Sequence, residues 1–214
     1  MIALHGAAGS PFVRKVRVVL AEKRIGYTLD PLVPVPKTEA LLRMNPLGKI
    51  PIFEEDGFIV PDSSVICAYL ERTHPQPPLY PSDARELARA LWYEEYGDTR
   101  LVEATGPVFF QRFVRPNILG EKTDENVVRD ALSNAVPPTF DYLESQVGHS
   151  DGIVGGRFTI ADIAICSPLV TFHAANETID GRRWPNLARY YAAITQRAAF
   201  RQVLEEEPDA ARAA

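Results

Sequence analysis

Cysteine is nearly absent from this 214-residue chain, which holds only Cys67 and Cys166. The two stand far apart, each in an apolar helical pattern. That excludes a Cys-x-x-Cys redox pair and suits buried thiols in a reducing compartment. An excess of positive charge is missing as well: 23 Lys and Arg face 28 Asp and Glu, a formal net charge of −5. Nucleic acid is therefore not an expected partner, because phosphate binding rests on clustered Lys and Arg. Long apolar runs are lacking, and Met1-Ile2-Ala3-Leu4 passes straight into His5-Gly6 with no charged head before an apolar stretch. Neither a signal peptide nor a membrane span is expected, and the expected location is the cytoplasm. The four histidines show no metal-ligand spacing, so no metal is expected. What remains is ordinary globular material, 46% hydrophobic and 24% charged, long enough to bury a core without crosslinks.

Periodicity divides the chain in two. Ile2 to His5 reads as a strand, and Gly6-Ala7-Ala8-Gly9-Ser10-Pro11 reads as a loop ending in a helix cap and first turn. A helix is predicted from Pro11 to Arg24. Val13, Val16, Val19 and Leu20 form its core face, and Arg14, Lys15, Arg17, Glu22 and Lys23 its wet face. Tyr27 to Val33 is a second strand and Thr38 to Met44 a short helix. Ile50 to Glu54 and Phe58 to Val60 pair around an Asp56-Gly57 turn, and Asp62 to Arg72 is a third helix. This βαβ-α-ββα order is that of an α/β thioredoxin-like domain, assigned residues 1–73. Thr73 to Pro81 holds four prolines in nine residues, a stiff extended linker assigned 74–82. From 83 to 214 only helical patterns follow: Asp83 to Arg115, Glu121 to Val147, Thr159 to His173 and Pro185 to Glu206. Gly106-Pro107 and Pro137-Pro138 should kink or break the first two. A polar, Ala-rich tail after Pro208 is expected to fray.

Four segments carry candidate chemistry. Ser10 opens the first helix, where free N–H groups and the dipole stabilise an anion. With no base beside it, serine is a weak nucleophile. It can instead donate a hydrogen bond to a ligand thiolate, or simply cap the helix. Asn45-Pro46-Leu47-Gly48-Lys49-Ile50-Pro51 precedes the third strand. A cis Ile50-Pro51 bond would turn the Ile50 backbone toward Ser10, ready to pair with a peptide-like ligand; an ordinary turn into an edge strand is the alternative. Asp62 and Ser63 begin the third helix, either as caps or as a seat for an amino-acid head group, carboxylate on the N–H groups and ammonium on Asp62. Thr159 and Asp162 form a capping box with a structural role. Phe109, Phe110 and Phe113 could line an apolar cleft between domains or belong to the core.

Taken together, in this order and on this architecture, the segments resemble the cytosolic glutathione S-transferases. The likeness covers roughly residues 1 to 205, and Ser10-Pro11-Phe12-Val13-Arg14-Lys15-Val16 is most similar to the bacterial serine-type members. The resemblance implies a glutathione transferase that activates the thiol of glutathione, a co-substrate with no metal, and adds it to a small hydrophobic electrophile. Ser10 would hold the thiolate, the Ile50 backbone before cis-Pro51 the cysteinyl part, Asp62 and Ser63 the γ-glutamyl end, and Lys49 the glycyl carboxylate. Phe12, Phe109, Phe110 and Phe113 would line the co-substrate site, and the chain would be a homodimer. The tyrosine-type route is closed because the first tyrosine is Tyr27, and the cysteine-type route would need Cys in place of Ser10. Two alternatives keep the fold. One is a glutathione-dependent isomerase or peroxidase on the same site, and the other a non-catalytic binding or regulatory protein.

Overall fold

A computed structural model describes residues 1–148 and 151–207, so the tail after Pro208 lies outside the described residues. Four strands, β1 (Ile2–His5), β2 (Thr28–Asp30), β3 (Ile52–Glu55) and β4 (Phe58–Pro61), form one sheet in the order β2-β1-β3-β4. β1 runs parallel to β2 and antiparallel to β3, with Leu4 opposite both Leu29 and Phe53. β3 and β4 are joined by Asp56 (φ 50°) and Gly57 (φ 85°). Both turn residues are left-handed, which matches the twist of a two-residue hairpin. Helices α1 (Pro11–Glu22), α2 (Glu39–Met44) and α3 (Ser63–Thr73) complete the thioredoxin-like unit.

Residues 74–83 carry neither helix nor strand, yet they are held along their length. Lys23 Nζ donates to the carbonyls of His74 and Pro77, Glu71 accepts from the Leu79 N–H, and the Leu79 carbonyl accepts from the Ile160 N–H. Beyond them the described residues are helical apart from loops and one isolated bridge between Val154 and Arg157. The helices are α4 (Ala84–Tyr96), α5 (Val102–Phe109), α6 (Glu125–Asp130), α7 (Val136–Gln146), α8 (Ile160–Ala174), α9 (Pro185–Thr195) and α10 (Ala198–Glu205). α8 is buried around its whole circumference, as a predominantly apolar helix requires, and α1, α4 and α5 pack on it. Asp162 anchors its start: it accepts from the Thr159 N–H at 2.7 Å, the Ile153 N–H at 2.8 Å and the Tyr190 hydroxyl at 2.6 Å. Among the described residues no helix is long and apolar enough to cross a membrane.

Three expectations need correction. The first is that one side of α1 is wet: Arg14, Lys15 and Arg17 are as buried as Val13 and Val16. α1 lies between α3 and the later helices α8 and α10, so the side away from α3 is covered too. The second concerns the prolines. The helical path runs unbroken from Ala84 to Leu119 through Pro107, and α7 starts at Val136 with its two prolines in the first turn. Wider π-helical turns at Gly97–Leu101, Phe110–Leu119 and Ala131–Ala135 lie along these paths. The carbonyls that Pro137 and Pro138 would leave unpaired, those of Ser133 and Asn134, fall inside such a turn. The third is the last helix, which is two, divided at Gln196 and Arg197. The second strand is also shorter than Tyr27 to Val33.

Candidate active site

Sheet register alone brings three of the sequence segments together. His5 closes β1 opposite Ile52, which opens β3, and Ile52 stands opposite Pro61, the last residue of β4. Because β1, β3 and β4 alternate in direction, the turn after β1, the segment before β3 and the segment after β4 all leave the same end of the sheet. These are the turn with Ser10, the stretch Lys49-Ile50-Pro51 and the pair Asp62-Ser63.

Ser10 is the cap residue of α1 in extended backbone (φ −69°, ψ 130°), with Pro11 in the first turn. Its N–H donates to the Ala7 carbonyl at 3.0 Å and its carbonyl accepts from the Arg14 N–H at 2.9 Å. The side chain, by contrast, makes no cap hydrogen bond. The capping alternative thus fails for the hydroxyl, which is partly exposed at a helix N-terminus and not engaged with the helix it precedes. Gly6 lets this turn close down. A Cβ there would stand 2.5 Å from Val13 Cγ2, so the missing side chain is what admits Val13, while at 3.6 Å from Ile50 Cβ it would only be in contact.

The Ile50-Pro51 bond is cis, and the ladder of β3 begins only at Ile52. Asn45, itself buried, organises the preceding loop. Its Nδ2 donates to the Lys49 carbonyl at 2.8 Å, its Oδ1 accepts from the Leu47 N–H at 3.0 Å, and its carbonyl accepts from the Gly48 N–H at 2.8 Å. Lys49 is exposed and has no ion-pair partner among the described residues. Asp62 sits at φ 78°, a left-handed conformation unusual for a residue with a side chain. Its Oδ1 caps α3 by accepting from the N–H groups of Ser64 at 2.9 Å and Val65 at 3.2 Å, so the capping reading holds for that oxygen. Ser63, the first helical residue, is buried, and its N–H is not one of those that Asp62 takes.

Behind α3 lies a buried ionic cluster that the sequence reading missed. Lys15 Nζ donates to Ser64 Oγ at 2.9 Å, to Glu94 at 3.1 Å and to Asp98, and Ser64 Oγ donates to Asp98 at 3.0 Å. Burial alone would lower the Lys15 pKa, but Asp98 and Glu94 beside it hold it above the usual lysine value, so the ammonium stays charged. Burial raises Glu94 above the ordinary carboxylate range against the pull of Lys15. Cys67 and Cys166 are free and buried, and burial pushes both thiols up, so neither is a ready nucleophile. No local signal marked Lys15, because its partners come 79 and 83 residues later.

The aromatic candidates divide. Phe109 and Phe113 stack with centroids 4.9 Å apart, one turn from each other, and Phe109 packs on the core. Phe110 is 43% exposed and stacks on neither ring among the described residues. Phe12, in the first turn of α1, is half-buried and makes no ring contact with them.

A thioredoxin-like sheet with a hydroxyl left free at its first helix, joined to an all-helical half around a buried central helix, defines the class of fold. Residues 4–78 match the family model described as Glutathione S-transferase, N-terminal domain, and residues 126–193 that for the C-terminal domain. A solved glutathione S-transferase from Rhodospirillum rubrum F11 is 28% identical, superposes with a TM-score of 0.90, and is matched over 100% of this chain and 96% of that one. One from Methylobacterium radiotolerans, solved in complex with glutathione sulfonate, is 30% identical over 100% of this chain and 95% of that one, with a TM-score of 0.77. A glutathione S-transferase of Hyoscyamus muticus is 26% identical over 94% of this chain and 97% of its own. The chain belongs to the glutathione S-transferase family.

Proposed function

We propose that this chain is a serine-type glutathione transferase, in which Ser10 donates a hydrogen bond to the glutathione thiolate and the sulfur then attacks an electrophilic carbon. The observation that carries this reading is the Ser10 hydroxyl, free of any capping role at the N-terminus of α1 and on the same end of the sheet as Ile50 and Asp62-Ser63. A free thiol has a pKa of about 8.5, so only a few per cent is ionised near neutrality; a fixed donor and a helix dipole favour the ionised form. The thiol proton leaves to solvent and the sulfur lone pair forms the new C–S bond. A leaving group then departs with its electron pair, or in conjugate addition the adjacent carbon takes a proton. The charges of the tripeptide fit the residues in reach. Lys49 takes the glycyl carboxylate, the α3 N-terminus at Ser63 the γ-glutamyl carboxylate, and the free Oδ2 of Asp62 the ammonium. The Ile50 backbone pairs with the cysteinyl unit. Phe12 and the stacked Phe109 and Phe113 offer apolar surface for the electrophile. The working form in this proposal is a cytoplasmic homodimer.

The complex of the Methylobacterium radiotolerans relative with glutathione sulfonate supports the choice of ligand. The test is Ser10→Ala assayed with glutathione and an activated aryl chloride. Losing a hydrogen bond to a charged sulfur is worth about 1.5–3 kcal/mol, roughly tenfold to a hundredfold in kcat, with glutathione affinity little changed. Equal losses in kcat and affinity would remove Ser10 from the reaction.

A further inference from the structure

Arg14 and Glu207 are 193 residues apart in sequence, and both side chains are completely buried. Arg14 Nε and Nη2 donate to the two carboxylate oxygens of Glu207, each at 2.7 Å. Nη1 donates to the Ser167 carbonyl and to Thr171 Oγ1 on α8, each at 2.8 Å. Nη2 also reaches back to the Gly9 carbonyl at 3.4 Å, while the Arg14 backbone N–H holds the Ser10 carbonyl at 2.9 Å. The Ser10 contact is the first backbone bond of α1; the side chain itself reaches Gly9, next to Ser10, and is gripped by α8 and by the segment just after α10. Its charge is spent on Glu207, so Arg14 is not a spare cation for a ligand. A buried ion pair is seldom more stabilising than an apolar pair of the same volume. What a bidentate guanidinium adds is direction, since the planar fork fixes where its donors point.

We propose that Arg14 and Glu207 are positioning residues, a clamp that fixes the Gly9-Ser10 turn against the helical half and so sets where the Ser10 hydroxyl points. The inference rests on the thiolate-donor reading of Ser10 given above. It assigns a task to Glu207, a residue at the far end of the chain from the sheet segments proposed to hold the tripeptide. It also predicts which quantity changes when the clamp is lost. The groups proposed to bind glutathione sit on other elements, so affinity stays and thiol ionisation suffers.

Three variants test this against wild type, each read by thermal unfolding, glutathione affinity by calorimetry and the pH profile of kcat/KM. Arg14→Met combined with Glu207→Met removes the bidentate pair at similar volume, while Arg17, whose Nη1 stands 3.8 Å from Glu207, keeps its bond to Glu206 at 2.7 Å, so the variant is expected to fold. Arg14→Lys keeps the charge but has no fork. Thr171→Val loosens one anchor and alters no charge. The clamp predicts that the acidic limb moves up by about one pH unit in the first two variants, about tenfold less thiolate well below the limb. It predicts a smaller shift in the same direction for Thr171→Val, and glutathione affinity close to wild type in all three. A lowered melting temperature with the limb unmoved would mean a purely structural pair and overturn the proposal. A wild-type limb in Arg14→Lys beside a shifted limb in the double variant would assign the effect to charge and overturn it equally. Should the first two fail to fold, Thr171→Val decides alone. The Ser10 reading fails separately, and is recognised by Ser10→Ala that loses kcat and glutathione affinity equally or loses neither. With wild type active and Ser10→Ala impaired, unmoved limbs refute the clamp only.

Discussion

Replacing Lys15 by Met is expected to destabilise the protein far more than a change in a helix of alternating charge would suggest. The Lys15 side chain is 1% exposed, Glu94 4% and Asp98 16%. Two carboxylates already face one ammonium, so the variant leaves both without a cation in a nearly dry site. Glu94 bears most of the cost, because Asp98 keeps some contact with water and the Ser64 hydroxyl. Removing one partner of a buried pair costs about 3–5 kcal/mol. For a chain of this size each kcal/mol moves the melting temperature by about 2–4 °C, giving a fall of about 6–20 °C. The sign with pH follows from the direction of the Lys15 shift. Its folded pKa is raised, so the stabilisation is fully present below the unfolded lysine value and is lost as pH rises through the folded one. The gap between wild type and variant should therefore be full at pH 7, and should narrow on acidification as Glu94, already displaced upward, takes a proton in the variant. Thermal unfolding followed by circular dichroism across pH 5 to 8 provides the assay. A variant within about 1 °C of wild type at pH 7 would refute the reasoning, since the cluster would then be wet or already neutral.

Two further substitutions probe the local geometry. Gly6→Ala places a methyl group 2.5 Å from Val13 Cγ2, and overpacking of this kind costs about 1–3 kcal/mol; scanning calorimetry should show the loss as a lower melting temperature. At Asp62, Gly loses only the cap, whereas Ala loses the cap and must also hold φ 78°. Stability should fall in the order Asp, Gly, Ala, with Ala lower than Asp by about 2 kcal/mol in denaturant unfolding. Ala equal to Gly would show that the left-handed backbone carries no strain.

Much of the architecture was legible because it is local. The Asp56-Gly57 turn, the α3 cap at Asp62, the α8 capping box and the run of apolar residues after it each announce themselves within a few positions. The site segments were legible for the same reason, as each is a loop-to-helix or loop-to-strand junction with its own chemistry. What was misread is non-local. Arg14, Lys15 and Arg17 have the spacing of a solvated face, and nothing near them reveals that Glu207, Glu94, Asp98 and Glu206 fold back to neutralise them. Gly6 reads as flexibility when its use is a close approach by Val13. Phe109 and Phe110 are adjacent letters, but only Phe109 stacks on Phe113. Pro137 and Pro138 fall under the breaking rule for α-helices, and that rule does not anticipate the wider turn that precedes them.

The row that joins His5, Ile52 and Pro61 makes the candidate-site end of the sheet subordinate to its opposite end. A one-residue slip of β3 would turn every side chain of the strand to the other face and carry Ile50 and Pro51 out of line with Ser10. The Asp56-Gly57 hairpin, one strand length or about 13 Å away, stands against that slip by fixing how β3 and β4 pair. A two-residue turn that touches no ligand thus serves as the alignment gauge for a site at the other edge of the domain.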